Sequence, residues 1–240
     1  MDERLQFLDA LAKLPNIRQS SGLSLNMKAL LIPVKDPSRG KTRLSATLSQ
    51  DDRRALAWAM LEDVFRAAAS STVDRVVVVT NFRPALAKAR AAGFDVLVEQ
   101  NQVSESESVD WASRVLKEQG FDVVMRLPAD VPLVRPRDID SIVASSIQAP
   151  GALLVPSRDG TGTNAVVRTP PDLFPSRFGP NSLSLHIEEA SRLGIECLIV
   201  KNERIALDID EPADIEILLL RGQGTAAFNL LSEMKRARRE

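Results

Sequence analysis

Residues 76–79 are four valines in a row, followed by Thr80. Side chains along a strand point alternately to opposite faces, so an unbroken β-branched run has no polar face to give to water and must be covered on both sides. Residues 28–34 and 122–127 are two further apolar runs, and segments of helical spacing separate the three. Ser49 with Asp52 reads as a capping box, after which Leu56, Met60, Leu61, Val64, Phe65 and Ala68 recur on one helix face. A short helix over residues 84–92 stops at Gly93, a strand covers residues 95–99, a helix over 109–119 stops at Gly120, and another helix follows Pro136. This alternation predicts an α/β, Rossmann-like chain: a mostly parallel mixed sheet with helices on both faces and right-handed crossovers.

The rhythm changes in the second half. Residues 152–156 and 164–167 read as extended segments around a glycine-rich loop, and prolines crowd residues 170–180, which suggests an insertion over the sheet edge. A helix over residues 183–193 ends at Gly194, a strand follows at 196–200, Pro212 starts another helix, and a last one spans residues 226–237 before a basic tail. Residues 1–26, with Leu5, Leu8 and Leu11, read as an appended extension. The body is expected over residues 27–222 and a C-terminal helix with its tail over 223–240. Removing the extension is expected to leave the body folded.

A net charge of −1, with 26% charged and 44% hydrophobic residues, offers no overall basic field for nucleic acid. The apolar stretches are too short to cross a bilayer, and Asp2, Glu3 and Asp9 interrupt the place of a signal peptide. Cys197 is the single cysteine, so neither an internal disulfide nor a thiolate zinc site is available. A cytoplasmic protein without membrane or nucleic-acid partner is expected, and a homodimer is left open. Cys197, within an apolar strand, reads as a core residue, and His186 as a packed or surface histidine.

Candidate chemistry gathers where open α/β sheets bind ligands, at the carboxyl ends of strands. Asp130 follows a buried strand between two prolines and is a natural Mg²⁺ ligand, or else a turn former. Asp208 and Asp210 lie on one side of an extended segment, and Asp210 is the favoured second ligand. The competing use, favouring the start of a helix, is already served by Glu211 and Asp214. The loop after the first strand carries Lys35, Arg39, Lys41 and Arg43. It suits phosphates but matches neither a P-loop nor a dinucleotide fingerprint. Residues 159–164, with two glycines, hydroxyls and Asn164, could bind a carboxylate or phosphate. Ser182 caps a helix whose first N–H groups could face the same anion.

The segments Ile32-Pro33-Val34-Lys35 with Lys41 and Arg43-Leu44, Leu127-Pro128-Ala129-Asp130, Gly162-Thr163-Asn164, Phe178-Gly179-Pro180 and Leu207-Asp208-Ile209-Asp210 resemble, in this order, the 2-phospho-L-lactate guanylyltransferase (CofC-like) family of coenzyme F-420 biosynthesis. The resemblance implies a nucleotide-diphospho-sugar transferase (GT-A-like) fold with Mg²⁺ and GTP. It implies that Thr163, Gly179 and Ser182 hold a phosphorylated three-carbon acid such as 2-phospholactate or phosphoenolpyruvate, while Asp130 and Asp210 hold metal. Lys35, Lys41 and Arg43 are then expected on the triphosphate, with Asp130 also on the nucleotide side. Many relatives have Gly-Leu-Asn at the start of the helix after the third strand. This chain has residues 104–108, Ser-Glu-Ser-Glu-Ser, so Ser106 or Ser108 is the candidate replacement for a nucleobase contact. A metal-dependent glycosyltransferase using Asp208-Ile209-Asp210 and a non-catalytic nucleotide binder are the rival readings.

Overall fold

The computed structural model describes residues 26–145 and 148–238. Seven strands form one sheet: β1 (Lys28–Pro33), β2 (Arg75–Thr80), β3 (Asp95–Val98), β4 (Val123–Arg126), β5 (Gly151–Pro156), β6 (Thr163–Thr169) and β7 (Cys197–Ile199). Their spatial order is β3-β2-β1-β4-β6-β5-β7. Every neighbouring pair is parallel except the two made by β6, so one antiparallel strand sits inside an otherwise parallel sheet. The helices are α1 (Gln50–Ala69), α2 (Arg83–Ala91), α3 (Glu105–Glu118), α4 (Pro136–Ala144), α5 (Ser182–Arg192), α6 (Pro212–Arg221) and α7 (Ala226–Ala237).

The valine run is covered as its composition requires. Val78 joins Leu30, Ile32 and Met125 beneath Leu61, Val64 and Phe65 of α1 and Ile139 and Ile142 of α4. Val77 and Val79 turn the other way, joining Ala29, Leu31 and Leu97 against Val109, Ala112, Val115 and Leu116 of α3. Truncating a fully buried leucine such as Leu30 or Leu31 to alanine in cores of this kind costs about 2–5 kcal/mol. The Ser49–Asp52 capping box is present at the start of α1.

The chain runs outward from β1 through β2 to β3, then returns past β1 to place β4 on its other side. Loops leaving the carboxyl ends of β1 and β4 therefore diverge and leave a crevice between them. That reversal positions the site.

Three sequence expectations are corrected. The extended segments around residues 152–167 form a hairpin whose second strand, β6, lies between β4 and β5 rather than at an edge. The proline-rich stretch runs against α3 and α5: Ser176 donates from its backbone N–H and hydroxyl to Asp110, and Phe178 N–H donates to Ser106. Cys197 is not core; it is half-buried on the edge strand β7 beside two exposed apolar residues, Leu198 and Ile199. The extension lies outside the described residues except for Asn26. No helix among the described residues is long and apolar enough to cross a membrane.

α7, set apart in the sequence, packs into the body: Ala227 and Leu231 share a cluster with Leu44, Leu56 and Met60. Its first two N–H groups, on Ala226 and Ala227, donate 2.7 and 2.9 Å bonds to the buried carboxylate of Asp63 in α1. Burial raises the Asp63 carboxyl above its ordinary range, against those two bonds. Asp63→Ala removes both acceptors, so unfolding free energy is expected to drop by about 1–3 kcal/mol. Amide exchange in residues 226–231 should accelerate well beyond that in β1 and β4. An unchanged exchange pattern would assign the docking of α7 to apolar contacts alone.

Candidate active site

Three turns meet at the crevice, and their residues line one cavity of about 640 Å³. The loop after β1 contributes Lys35, Lys41 and Arg43, the turn after β4 contributes Asp130, and the segment before α6 contributes Asp208 and Asp210. Ile209 N–H donates to the Asp130 carbonyl at 3.2 Å, which ties the last two segments together. Thr163, Asn164, Gly179 and Ser182 line the same cavity. The positions read from the sequence thus converge, with the exceptions of Ser106 and Ser108. The Ser106 hydroxyl accepts from Phe178 N–H, and Ser108 is buried with its hydroxyl donating to Glu99, so neither serine lines the cavity.

Lys41 holds the acidic end. Its Nζ lies 2.5 Å from Asp130 Oδ2 and 2.6 Å from Asp210 Oδ1, and its backbone is left-handed with φ 54°. A non-glycine residue adopts that conformation at a cost of order 1 kcal/mol, which surrounding contacts must offset. Burial alone would lower the lysine pKa, but the two carboxylates outweigh it and hold the ammonium above the usual lysine range. Burial would likewise raise Asp130, yet the Lys41 charge and then Arg126 bring it below the usual carboxylate range. Asp208 goes the other way, pushed up to about 6 by burial first and then by Asp130, although Asn164 Nδ2 donates to it at 3.0 Å. Arg43 reaches Glu211 at 3.7 Å, and both are exposed.

Several donors expected for an anion are already used. Thr161 N–H and hydroxyl bind Asp159, and Gly162 N–H binds Ser157 Oγ, so the loop over residues 159–162 satisfies itself. A Cβ on Gly162 would meet Ser157 Oγ at 2.8 Å, which reserves that position for glycine. Ser182 is the first residue of α5 rather than its cap, and the N–H groups of Ser182 and Leu183 bond to the carbonyls of Gly179 and Thr161. The helix terminus therefore offers little to a ligand.

What remains is two hydroxyls. Ser182 Oγ accepts from Thr163 N–H at 2.9 Å and keeps its own proton to donate. Thr163 Oγ1 lies 3.1 Å from Nδ1 of the fully buried His186, whose Nε2 accepts from Arg177 N–H at 2.9 Å. The ring proton is therefore on Nδ1, within reach of both the Ser182 backbone and Thr163, and the threonine keeps its own hydrogen to donate. Gly179 beside them has φ 129°, a conformation that side chains rarely allow.

Sequence reasoning missed Arg126 and Glu105, which also line the cavity and form an ion pair. A charged residue ending the apolar run at residues 122–127 was the available signal.

A model of the family described as "Guanylyl transferase CofC like" matches residues 27–237. The chain belongs to this guanylyltransferase family. A phosphoenolpyruvate guanylyltransferase from Rubrobacter xylanophilus is 31% identical, over 77% of this chain and 90% of its own. A 2-phospho-L-lactate guanylyltransferase from Methanothermobacter thermautotrophicus is 31% identical over 85% and 90%, and a 3-phospho-D-glycerate guanylyltransferase from Colwellia psychrerythraea is 32% identical over 80% and 90%. A solved protein from Desulfovibrio desulfuricans G20, described as a nucleotide-diphospho-sugar transferase, superposes with TM-score 0.72 over 88% of this chain and 96% of its own at 19% identity, a likeness of fold. This CofC-like protein is accordingly a nucleotidyltransferase, and neither the glycosyltransferase nor the non-catalytic reading is favoured.

His186 is the single histidine of the chain, so its protonation can be followed alone. Burial, then the charges of Arg168 and Arg126, lower its pKa from 6.5 to about 4, with Asp110 opposing. The unfolded chain therefore takes up this proton first as pH falls. The histidine's contribution to stability is whole above about 6.5 and is lost progressively toward 4, amounting to about 2 kcal/mol between pH 7 and pH 5. Chemical unfolding at the two pH values should show this difference shrinking in His186→Asn, and an imidazole NMR titration centred near 6.5 would contradict it.

Proposed function

We propose that the protein transfers GMP from GTP to a small phosphorylated acid, of the class 2-phospho-L-lactate, phosphoenolpyruvate or 3-phosphoglycerate, with release of pyrophosphate. The observation that carries this reading is one cavity lined both by a carboxylate cluster clamped by Lys41 and by the hydroxyls of Thr163 and Ser182. Relatives of nearly equal identity act on each of the three acids, which share a phosphate and a carboxylate.

A phosphate oxygen of the acid attacks the α-phosphorus of GTP; the new P–O bond forms as the bond to the β-phosphate oxygen breaks, and pyrophosphate leaves. A phosphomonoester is already ionised at neutral pH, its second pKa being about 6, so no general base is required. Lys35 and Arg43 would meet the triphosphate, and Lys41 keeps Asp130 charged and holds Asp130 and Asp210 in alignment.

The residues present fit Mg²⁺. Asp130 Oδ1 is buried without a hydrogen-bond partner among the described residues, and the Asp208 carboxyl is raised by burial and then by the Asp130 charge. No three such side chains among the described residues converge as a metal cage by themselves. Mg²⁺ in phosphoryl-transfer sites usually takes one or two carboxylates and completes its shell with water and substrate phosphates. Asp130 and Asp210, with Asp208 beside them, would hold it, and it would supply charge neutralisation at the reacting phosphates.

Pyrophosphate release measured with four nucleoside triphosphates against the three acids should show turnover with GTP and at least one acid. Absence of turnover in every combination would refute the proposal. Asp130→Asn is nearly isosteric, so the fold should be kept, with some loss of thermal stability because Lys41 loses one of its two carboxylate partners, while turnover falls by roughly 100-fold or more. Native-like turnover would make Asp130 a turn former only.

A further inference from the structure

Arg126 ends β4, and its side chain is only 7% exposed although it lines the cavity. A guanidinium taken from water is costly unless its charge and its N–H groups are answered. Nη1 donates 2.9 Å to the Asn164 carbonyl, the plane lies over the Phe178 ring at 4.1 Å, and Nη2 pairs with Glu105 Oε1. Nε is buried with no partner among the described residues.

Two of these contacts are fixed and one is exchangeable. Asn164 belongs to β6, and Phe178 N–H is held by Ser106, so the carbonyl and the ring keep the fork in place. Glu105 is the first residue of α3, its side chain is 29% exposed, and it faces the cavity. Its carboxylate can turn to water, where the helix N-terminus still favours it.

The guanylyl transfer proposed above fixes which part of the acceptor comes here. The acceptor phosphate must reach the α-phosphate near the Asp130 cluster, and the groups of the same cavity that remain to bind its carboxylate include the Thr163 and Ser182 hydroxyls and the Arg126 guanidinium. The group that Arg126 already binds is a carboxylate. We propose that Arg126 is a specificity-determining residue that binds the acceptor's carboxylate in exchange for that of Glu105, so that Glu105 acts as a built-in competitor. The exchange keeps the buried guanidinium neutralised at every stage, and a neutral group in the same place could not displace Glu105.

The test uses the full chain with saturating GTP and Mg²⁺, the acid that the native protein turns over best, and the methyl ester of that acid's carboxylate. Native kcat/KM should fall roughly 10- to 100-fold from acid to ester, the weight of a charge-assisted bond. Arg126→Met should lower kcat/KM for the acid by a similar factor and leave acid and ester nearly equal, with the KM for GTP within threefold of native. Arg126→Lys, which keeps the charge but loses the fork, should lie between. Glu105→Gln should lower the KM for the acid severalfold. Acid-over-ester preference surviving in Arg126→Met, or a raised acid KM in Glu105→Gln, overturns the assignment. If Arg126→Met does not fold, the lysine and Glu105→Gln variants decide by the same criteria. If the native protein turns over none of the acids, guanylyl transfer to them fails separately. Calorimetric binding of 2-phospholactate and its methyl ester to native and Glu105→Gln protein then decides: tighter binding of the acid, strengthened in the variant, upholds the carboxylate site, and equal binding of acid and ester overturns it.

Discussion

One ammonium group holds together three stretches of chain that are distant in sequence. Lys41 follows β1, Asp130 follows β4, and Asp210 precedes α6, yet Nζ lies within 2.6 Å of both carboxylates. Without that charge, Asp130, Asp208 and Asp210 would repel one another in a half-buried crevice, and protonation would relieve them. Asp208, which has no ion pair with Lys41, rises to about 6 through burial first and the Asp130 charge second. The left-handed backbone at Lys41 is the local cost of aiming this side chain inward.

The clamp is possible because of the sheet. β1 and β4 are adjacent and parallel, with Leu31 opposite Arg126, so the loops that follow them leave the same edge side by side. Reversal of strand order between them parts those loops. The antiparallel β6 adds something a purely parallel sheet could not: its first residue, Thr163, rather than its last, stands at the edge where β4 ends. A hydroxyl-bearing strand start is thereby set facing a carboxylate-bearing strand end.

The sequence made the covered strands legible because a run such as Val76–Val79 has only one physical solution, burial on both faces. Asp130, Asp208 and Asp210 were legible for a related reason: acidic residues at strand ends, beyond what helix starts need, ask for a cation. Donors were harder to read. The glycines and hydroxyls of residues 159–162 look the same in a sequence whether they bind a ligand or, as here, bind Asp159 and Ser157. Ser106 failed for the same reason, since its partner is the backbone of Phe178, seventy-two residues away. Arg126 went unread because strand patterning treats a charge at the end of an apolar run as an exit to solvent, whereas antiparallel pairing with β6 buries it against Asn164.

One cavity combines groups of opposite chemistry. Asp130, Asp208 and Asp210 gather around Lys41, and the Thr163 and Ser182 hydroxyls and the Arg126–Glu105 pair line the same space. Hydroxyl donors can meet an anion directly, whereas a carboxylate cluster repels one unless a cation stands between. His186 preserves that distinction. Its neutral ring, kept so by burial and by Arg168 and Arg126, directs Thr163 as a donor and adds no charge of its own. A protonated imidazole there would have no acceptor nitrogen for Arg177 N–H and would crowd two guanidinium groups with a third cation. His186 thereby acts through geometry, as a neutral ring that orients the neighbouring hydroxyl.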